Sequence, residues 1–326
     1  MRFLKKIFLI LFIFMGIGLT SVIQAQTAGN GGLNAFDFAQ ISPYARAIGM
    51  GGAYTALGDD VGSVYYNPAG IASVLTSEVN MTYLALYQGL SYETLAFAYP
   101  LEPAFHGFGG TFAVSVNMLQ AGTLYRTNDA GVTVNGNSTF TAGDNLFTFT
   151  YANHLGTDFQ AGLSLKYIQQ QIDVVSTSLL AVDAGAVFAP GNNGIRVGVD
   201  LKNMGDTSSG YSLPFVLNTG ISYRTYGLFT RQDDAAFSAD ASFPLQIQDS
   251  LAVNLGAEYN LKWVGSRFSL RAGYSFIGMT DLSGIGLSFG AGYGLDVGGV
   301  VLFLDYAFVP EDVFGSSNRF SLTTKF

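Results

Sequence analysis

The sequence contains no cysteine, a single tryptophan and only 8 prolines in 326 residues. Without thiols it forms neither disulfides nor thiolate metal sites, and it cannot carry a lipoprotein anchor. Charge is scarce too, at 12% of residues, well under the usual quarter. Basic residues are the minority, 15 against 23 acidic. That argues against nucleic acid as a partner, because phosphate neutralisation needs clustered Lys and Arg. After Ala25 no uninterrupted apolar run is long enough for a membrane-spanning helix. Yet 49% of the chain is apolar, and it holds 41 Gly, 27 Phe and 18 Tyr. Such a chain is too apolar for an ordinary soluble domain.

The first 25 residues read as an export signal rather than as structure. Arg2, Lys5 and Lys6 precede an uncharged apolar stretch from Ile7 to Leu19, and Gln24-Ala25-Gln26 offers a small residue for cleavage. This is the pattern of a secretory signal peptide, although Ile23 is bulkier than usual at its position. Removing it takes three basic residues and leaves 12 against 23 acidic, a net charge of −11.

Downstream, apolar residues recur at every second position. Ile195, Val197, Val199 and Leu201 interleave with Arg196, Gly198, Asp200 and Lys202. Leu251 to Trp263 and Phe268 to Phe276 alternate in the same way, as do shorter stretches around 159–167, 215–223, 237–243 and 285–293. Successive side chains on a strand point to opposite faces. Period two over about 8 to 12 residues is the length a tilted strand needs to cross a bilayer. One face carries Leu, Val, Phe, Ala and Tyr, while the other mixes Gly, Ser, Asn and charges of both signs. A soluble β-sandwich would show shorter strands and a Lys- and Glu-rich outer face. Aromatics near strand ends (Tyr83, Tyr87, Tyr223, Tyr259, Trp263, Tyr274, Tyr293) suit girdles at two lipid interfaces.

The fold class expected is therefore all-β: a transmembrane antiparallel β-barrel. Turn chemistry divides residues 78–326 into fourteen strands, at 78–88, 91–101, 107–119, 144–154, 157–170, 178–189, 194–203, 213–224, 234–243, 250–261, 266–276, 283–293, 297–308 and 317–326. An even count is what a closed single-chain barrel requires. The longest connection, Gln120 to Gly143, is polar and reads as an extracellular loop, followed by 204–212 and 309–316.

Residues 26–77 do not alternate, and form a segment too long for a linker and too small to fold alone. Asn67 before Pro68 is a helix start, since Asn caps free N–H groups and Pro at the first helical position loses none. Asp60 reads as a cap for a short helix ending before Pro68. Asp59 and Asp60 could instead pair with Arg46, but capping is the preferred reading. Inside a barrel this wide, strand side chains cannot fill the lumen, so the segment is expected to plug it. The inward charges Lys166, Arg196, Asp200, Lys202, Arg224, Asp240, Glu258 and Arg271 then form lumen ion pairs that hold the plug. They alternate in sign, unlike the single-sign ring of an ion-selective pore.

Arg46-x-x-Gly49-Met50-Gly51-Gly52-Ala53-Tyr54-x-Ala56-x-x-Asp59-Asp60, followed by Tyr65-Tyr66-Asn67-Pro68-Ala69-Gly70, resembles the N-terminal signature of the PorV/PorQ-like outer-membrane proteins. These belong with the long-chain fatty-acid transporter (FadL) superfamily. The resemblance implies a fourteen-stranded barrel with an N-terminal hatch, through which hydrophobic molecules such as fatty acids pass passively and leave sideways beside the third strand. Pro100, Pro103, Gly107, Gly109 and Gly110 flank the start of that strand. As ladder-breaking residues they are the candidate wall opening, with a tight turn as the equal alternative. The final strand, with Phe320, Leu322 and the terminal Phe326, resembles the signal read by the barrel-assembly machinery of Gram-negative bacteria. The resemblance therefore implies an outer-membrane location, with lipid, the assembly machinery and a hydrophobic ligand as partners. In PorV-like members the barrel instead serves type IX secretion and binds secreted cargo or a translocon, which is the alternative role.

Enzymatic chemistry is not indicated. The Gly49-x-Gly51-Gly52 run lacks the Lys-Ser/Thr of a phosphate loop. His106 and His154 have no spaced partners for a metal site or a triad, and no cofactor is expected.

Overall fold

The computed structural model describes residues 36–86, 89–101, 109–128, 130–134, 138–191, 193–205, 213–245, 251–277, 286–311 and 315–326. The expected signal peptide, residues 1–25, and the first residues of the expected plug, 26–35, lie outside the described residues. The first strands are β1 (Glu78–Ala85), β2 (Leu90–Leu101), β3 (Gly110–Tyr125), β4 (Thr139–His154) and β5 (Phe159–Ile172). Then come β6 (Val175–Phe188), β7 (Ile195–Gly205), β8 (Val216–Tyr226), β9 (Asp233–Pro244) and β10 (Ala252–Trp263). β11 (Ser266–Ile277), β12 (Leu287–Val297), β13 (Val300–Glu311) and β14 (Gly315–Lys325) complete the wall.

Each strand pairs antiparallel with its sequence neighbours, and β14 pairs with β1 to close a fourteen-stranded barrel. The closing ladder runs from Glu78 opposite Lys325 to Ala85 opposite Asn318. Closure leaves no sheet edge, which a bilayer demands because its core offers no water to unpaired backbone groups.

The alternation sorts the faces as physics requires. Leu163, Leu165, Leu180, Ile221, Leu270, Leu304, Phe320 and Leu322 are exposed on the outside, where they meet lipid. Asn80, Thr94, Ser164, Asp183, Asp200, Asp240, Glu258, Arg271 and Asp305 are buried inside. Trp263, at 65% exposure, and Tyr226 lie at the end that holds Glu78 and Lys325. We call this the near end, and the opposite rim the far end.

The Gln120–Gly143 loop is shorter than its composition suggests. β3 continues to Tyr125 and β4 begins at Thr139, with a register shift between Ala121 and Leu124. β6 likewise starts at Val175, and pairs with β5 up to Ile172. Beyond the lipid a strand needs no apolar outer face, so its polar composition imitates a loop. β3 and β4 have 16 residues where β10 and β11 have 12. The surplus of four residues projects about 13 Å past the far rim.

Residues 36–74 lie inside the barrel, and 75–77 lead out to β1. They form a 3-10 turn (Asp37–Gln40), helices α1 (Ala45–Ile48) and α2 (Ser63–Tyr66), and a second 3-10 segment (Pro68–Ser73). These elements are too short to persist alone; burial against one another and the wall holds them. Tyr54, Leu57, Val61, Val64 and Ile71 are almost fully buried together with wall residues Ala96, Ala98, Ala113 and Ala152.

Candidate functional site

Small wall residues create the space that the inner segment needs. Gly51 has φ +67°, a left-handed conformation that favours glycine. Its backbone rests on Gly273 of β11, where a Cβ would overlap Met50 and Gly51 outright. Gly162, Gly198 and Gly256, on β5, β7 and β10, seat other stretches of inner backbone in the same way, and Gly185 on β6 makes room for the Asn67 side chain. Gly49 in turn faces Gly290 of β12. Gly70 packs on Gly58 and Ser63 within the segment.

Asn67 is the joint between the two layers. Its Oδ1 accepts from the Ala69 amide at 3.0 Å, capping the 3-10 segment that Pro68 begins. Its Nδ2 donates to the Thr55 carbonyl at 2.9 Å and to that of Ala186 in β6 at 3.2 Å. One buried side chain thus fixes a turn, a second inner strand of chain and the wall.

Arg46 is the electrostatic centre. Its Nη1 lies 2.6 Å from Asp59 and 2.7 Å from Asp60. The sequence preference for Asp59 and Asp60 as helix caps is therefore corrected. α2 has Gly62 at its N-cap with no side-chain bond, and both carboxylates turn to the guanidinium, which local sequence reasoning undervalues because Arg46 lies 13 and 14 positions away. Asp60 keeps one local bond, from the Gly62 amide at 3.0 Å. Arg46 also meets Glu258 of β10 through two bonds, Nε–Oε2 at 2.9 Å and Nη2–Oε1 at 3.0 Å. Glu258 is shared with Arg271, which reaches Asp305 of β13 at 2.7 Å. Arg224 of β8 closes on Asp59 at 2.8 Å. The charges form a continuous chain across the lumen, each neighbour opposite in sign. Burial by itself would raise the Asp59 pKa, but Arg46 and Arg224 outweigh it and hold the carboxyl well below the usual range. Burial would likewise lower Arg46, and its acidic neighbours more than restore it.

The other inward charges divide between wall and plug contacts. Asp240 accepts from the Tyr54 and Thr55 amides, each at 2.7 Å. Arg196 donates to the Gly58 carbonyl at 3.3 Å. Lys202 places its ammonium 4.0 Å from the Tyr65 ring centroid, a cation–π contact. Asp200 accepts from Asn218 across the β7–β8 ladder at 3.1 Å. Lys166 pairs instead with Asp183 of the wall at 2.5 Å and donates to Asn203 at 2.9 Å. Near Arg46, Asp60, Asn80 and Asp305 a small polar cavity has room for about one water molecule.

The lumen changes character toward the far end on the β1–β6 side. Leu84, Tyr92, Leu146, Ile168, Leu179 and Ala181 point inward there and form a buried apolar cluster with Leu213, Phe36, Phe38 and Ala39. Phe36 has φ +67°, a strained value for a bulky residue. The 3-10 turn it precedes has no side-chain cap.

The wall-opening candidates are only partly described. Pro100 pairs with Thr111 and Gly110 with Leu101, so the β2–β3 ladder is regular to the first residue of β3. The Gly109 carbonyl accepts from the Tyr151 hydroxyl at 2.8 Å. Pro103, Gly107 and His106 lie outside the described residues. Register shifts occur elsewhere, at Ala121/Leu124 between β3 and β4 and at Val182/Ala184 between β6 and β7. His154 contacts the Ala72 carbonyl at 2.9 Å. At the closing strand Phe320 and Leu322 face outward, and the Phe326 amide donates to the Ser77 carbonyl at 2.9 Å. Sequence reasoning missed the glycine seats and the roles of Asp183 and Asp305. The glycines could have been found as gaps on the polar, inward face of neighbouring strands.

These features define a class: a transmembrane β-barrel whose lumen holds its own N-terminal segment, clamped by ion pairs on one side and packed by apolar residues on the other. No protein-family model and no curated protein matches the sequence. Solved structures do. The Ralstonia pickettii toluene transporter TbuX aligns with TM-score 0.59 at 10% identity, covering 87% of this chain and 97% of that one. The CymD monoaromatic hydrocarbon channel gives 0.56 at 12% identity, over 90% and 99% of the two chains. A Pseudomonas aeruginosa FadL homologue gives 0.54 at 11% identity, over 87% and 98%. This chain shares their fold.

Proposed function

We propose that the protein is an outer-membrane channel for passive passage of hydrophobic or amphipathic small molecules, fatty acids among them, with residues 36–77 as the gate. One observation carries this reading: inward-facing Leu84, Leu146, Ile168 and Leu179 form an apolar stretch of the lumen wall, packed with Phe36 and Phe38 of the inner segment. A water-filled pore gains nothing from apolar lumen residues, whereas a route for apolar solutes needs them. The similar structures include toluene transporters and a monoaromatic hydrocarbon channel, which supports the same class of cargo. The clamp of Arg46, Asp59, Glu258 and Arg224 ties the gate to the β8–β13 side, while Asn67 and the Pro68–Ser73 segment seat it on β4–β6, so passage requires the gate to shift.

The test is uptake of radiolabelled toluene and oleate by intact Gram-negative cells making the protein. Faster uptake than in cells without it is the expected result. Unchanged uptake, together with co-purification of a secretion translocon, would overturn the reading in favour of a secretion role.

A further inference from the structure

Toward the far end, β3–β6 exchange the polarity of their two faces. The last apolar row on the outer face is Val116, Phe147, Tyr167 and Leu180, aligned across the four strands. The next outer row holds Met118, Asn145, Gln169 and Ser178, and the one after it Gln120, Gly143, Gln171 and Ser176. The inward face does the reverse. Beyond the buried row of Leu146, Ile168 and Leu179 comes a polar row, Asp144, Gln170 and Thr177. Then follow Ala142, Ile172 and Val175, with Leu124 opposite Phe140 at the end. Leu124, Ile172 and Val175 are 37%, 50% and 64% exposed. Lipid selects apolar residues outside, and water selects polar ones on both sides, so neither accounts for this face. Grouped exposed apolar side chains mark interaction sites. The two hairpins that carry them are tied together: Arg126 meets Asp173 at 2.6 Å, and the Asp173 amide donates to the Thr141 carbonyl at 3.0 Å.

We propose that this exposed face captures neutral apolar small molecules from outside the cell, and that Asp144 beneath it disfavours carboxylates. The inference rests on the channel reading and narrows its cargo. Two-residue turns at 264–265 and 298–299 close the near end, as they do the periplasmic end of such barrels, so the projection faces outward. Continuity points to a solute of the lumen rather than a partner protein. Ile172 and Val175 lie on the same face as Ile168 and Leu179, four residues further along the same two strands. Charge decides the kind of solute. Among the described residues of the projection Arg126 is the only cation, and Asp173 already pairs with it while its guanidinium lies over the Phe140 ring at 5.6 Å. The next cation inward, Lys166, is held by Asp183. A carboxylate on this face therefore finds no free partner, and on its way to Leu146 and Ile168 it meets the like charge of Asp144. A neutral hydrocarbon meets no such barrier.

The test is the initial uptake rate of radiolabelled toluene and benzoate, which share a ring and differ in charge, by porin-deficient Gram-negative cells making the full chain. The wild type is expected to favour toluene. In an Ile172→Ser, Val175→Ser variant, toluene uptake at limiting concentration falls about fivefold while the rate at saturation is retained. Leu124→Ser, at the end of the same face, gives a smaller fall in the same direction and serves if the double variant does not assemble. Asp144→Asn raises benzoate uptake severalfold and leaves toluene unchanged. The amount of folded barrel in the outer membrane, measured for each variant, separates lost capture from lost protein. Toluene uptake unchanged in both serine variants would overturn the capture face and leave it to a macromolecular partner, and a benzoate rate unmoved by Asp144→Asn would overturn the charge selection. The channel reading would stand in either case. Wild-type uptake no faster than that of cells lacking the protein would overturn both.

Discussion

Arg46 of the inner segment and Glu258 of β10 face each other through two hydrogen bonds, at 2.9 and 3.0 Å, with the Glu258 side chain wholly buried. This pair ties the inner segment to the wall, and its fork-to-fork geometry fixes direction as well as charge. Glu258→Ala takes a carboxylate from two buried guanidiniums, leaving Arg46 only Asp59 and Asp60 and Arg271 only Asp305. Removing one partner of a buried pair costs about 3–5 kcal/mol. Urea unfolding in micelles should show a loss of that order, with Glu258→Gln milder.

Gly273 makes the complementary steric prediction. A leucine there must displace the Met50–Gly51 backbone, so Gly273→Leu should leave the barrel closed but unseat the inner segment. Limited proteolysis should then cut within residues 36–77 much faster than in the wild type. Gly286→Ala adds its methyl to open space and should not alter the cleavage rate.

Acid should reveal the Arg46 cluster. The folded-state pKa of Asp59 is depressed, so its contribution is fully present above the ordinary carboxylate pKa of about 4 and is lost as pH falls below it. Unfolding measured between pH 7 and pH 2 should show a falling acid limb, and Asp59→Asn should flatten it. A limb equally steep in the variant would contradict the assignment.

Alkali tests the packing of the inner segment. Burial pushes the hydroxyls of Tyr44, Tyr54, Tyr65 and Tyr66 above their ordinary value. Their contribution is therefore complete below about pH 10 and is lost as pH rises through the folded-state pKa. Ultraviolet titration should show a group of tyrosines that ionise only when the protein unfolds. Replacing the four with phenylalanine should remove that delayed step.

Lys166 and Asp183 brace the β6–β7 ladder where its register shifts. Asp183 accepts from the Asn203 amide at 2.7 Å, Lys166 donates to Asn203 at 2.9 Å, and Asn203 adopts φ +60°. Lys166→Met should destabilise the barrel by about 3 kcal/mol, and adding Asp183→Asn should recover part of that by removing the uncompensated charge. Both are readable from urea midpoints in micelles.

The barrel was legible because its wall obeys one short-range rule: alternation places Leu163 and Leu165 in lipid and Ser164 and Lys166 in the lumen without reference to distant residues. Strand ends were not legible where lipid stops imposing that rule, which is why Tyr125 and Val175 read as loop. Asn67-Pro68 announced its own cap, since that bond spans two residues. The partners of Arg46 were not legible in the same way. Glu258 is 212 positions away, and nothing local distinguishes it from any other inward charge.

The central claim is that apolar solutes cross through the lumen when residues 36–77 give way. Ala45 of α1 and Ala307 of β13 share one buried cluster, and the native chain has no cysteine, so an Ala45→Cys, Ala307→Cys variant is designed to staple the inner segment to the wall reversibly. Uptake of labelled toluene by intact cells carrying this variant is the direct measurement. The account predicts slow uptake with the staple oxidised and restored uptake after reduction. Equally fast uptake in both states would contradict it.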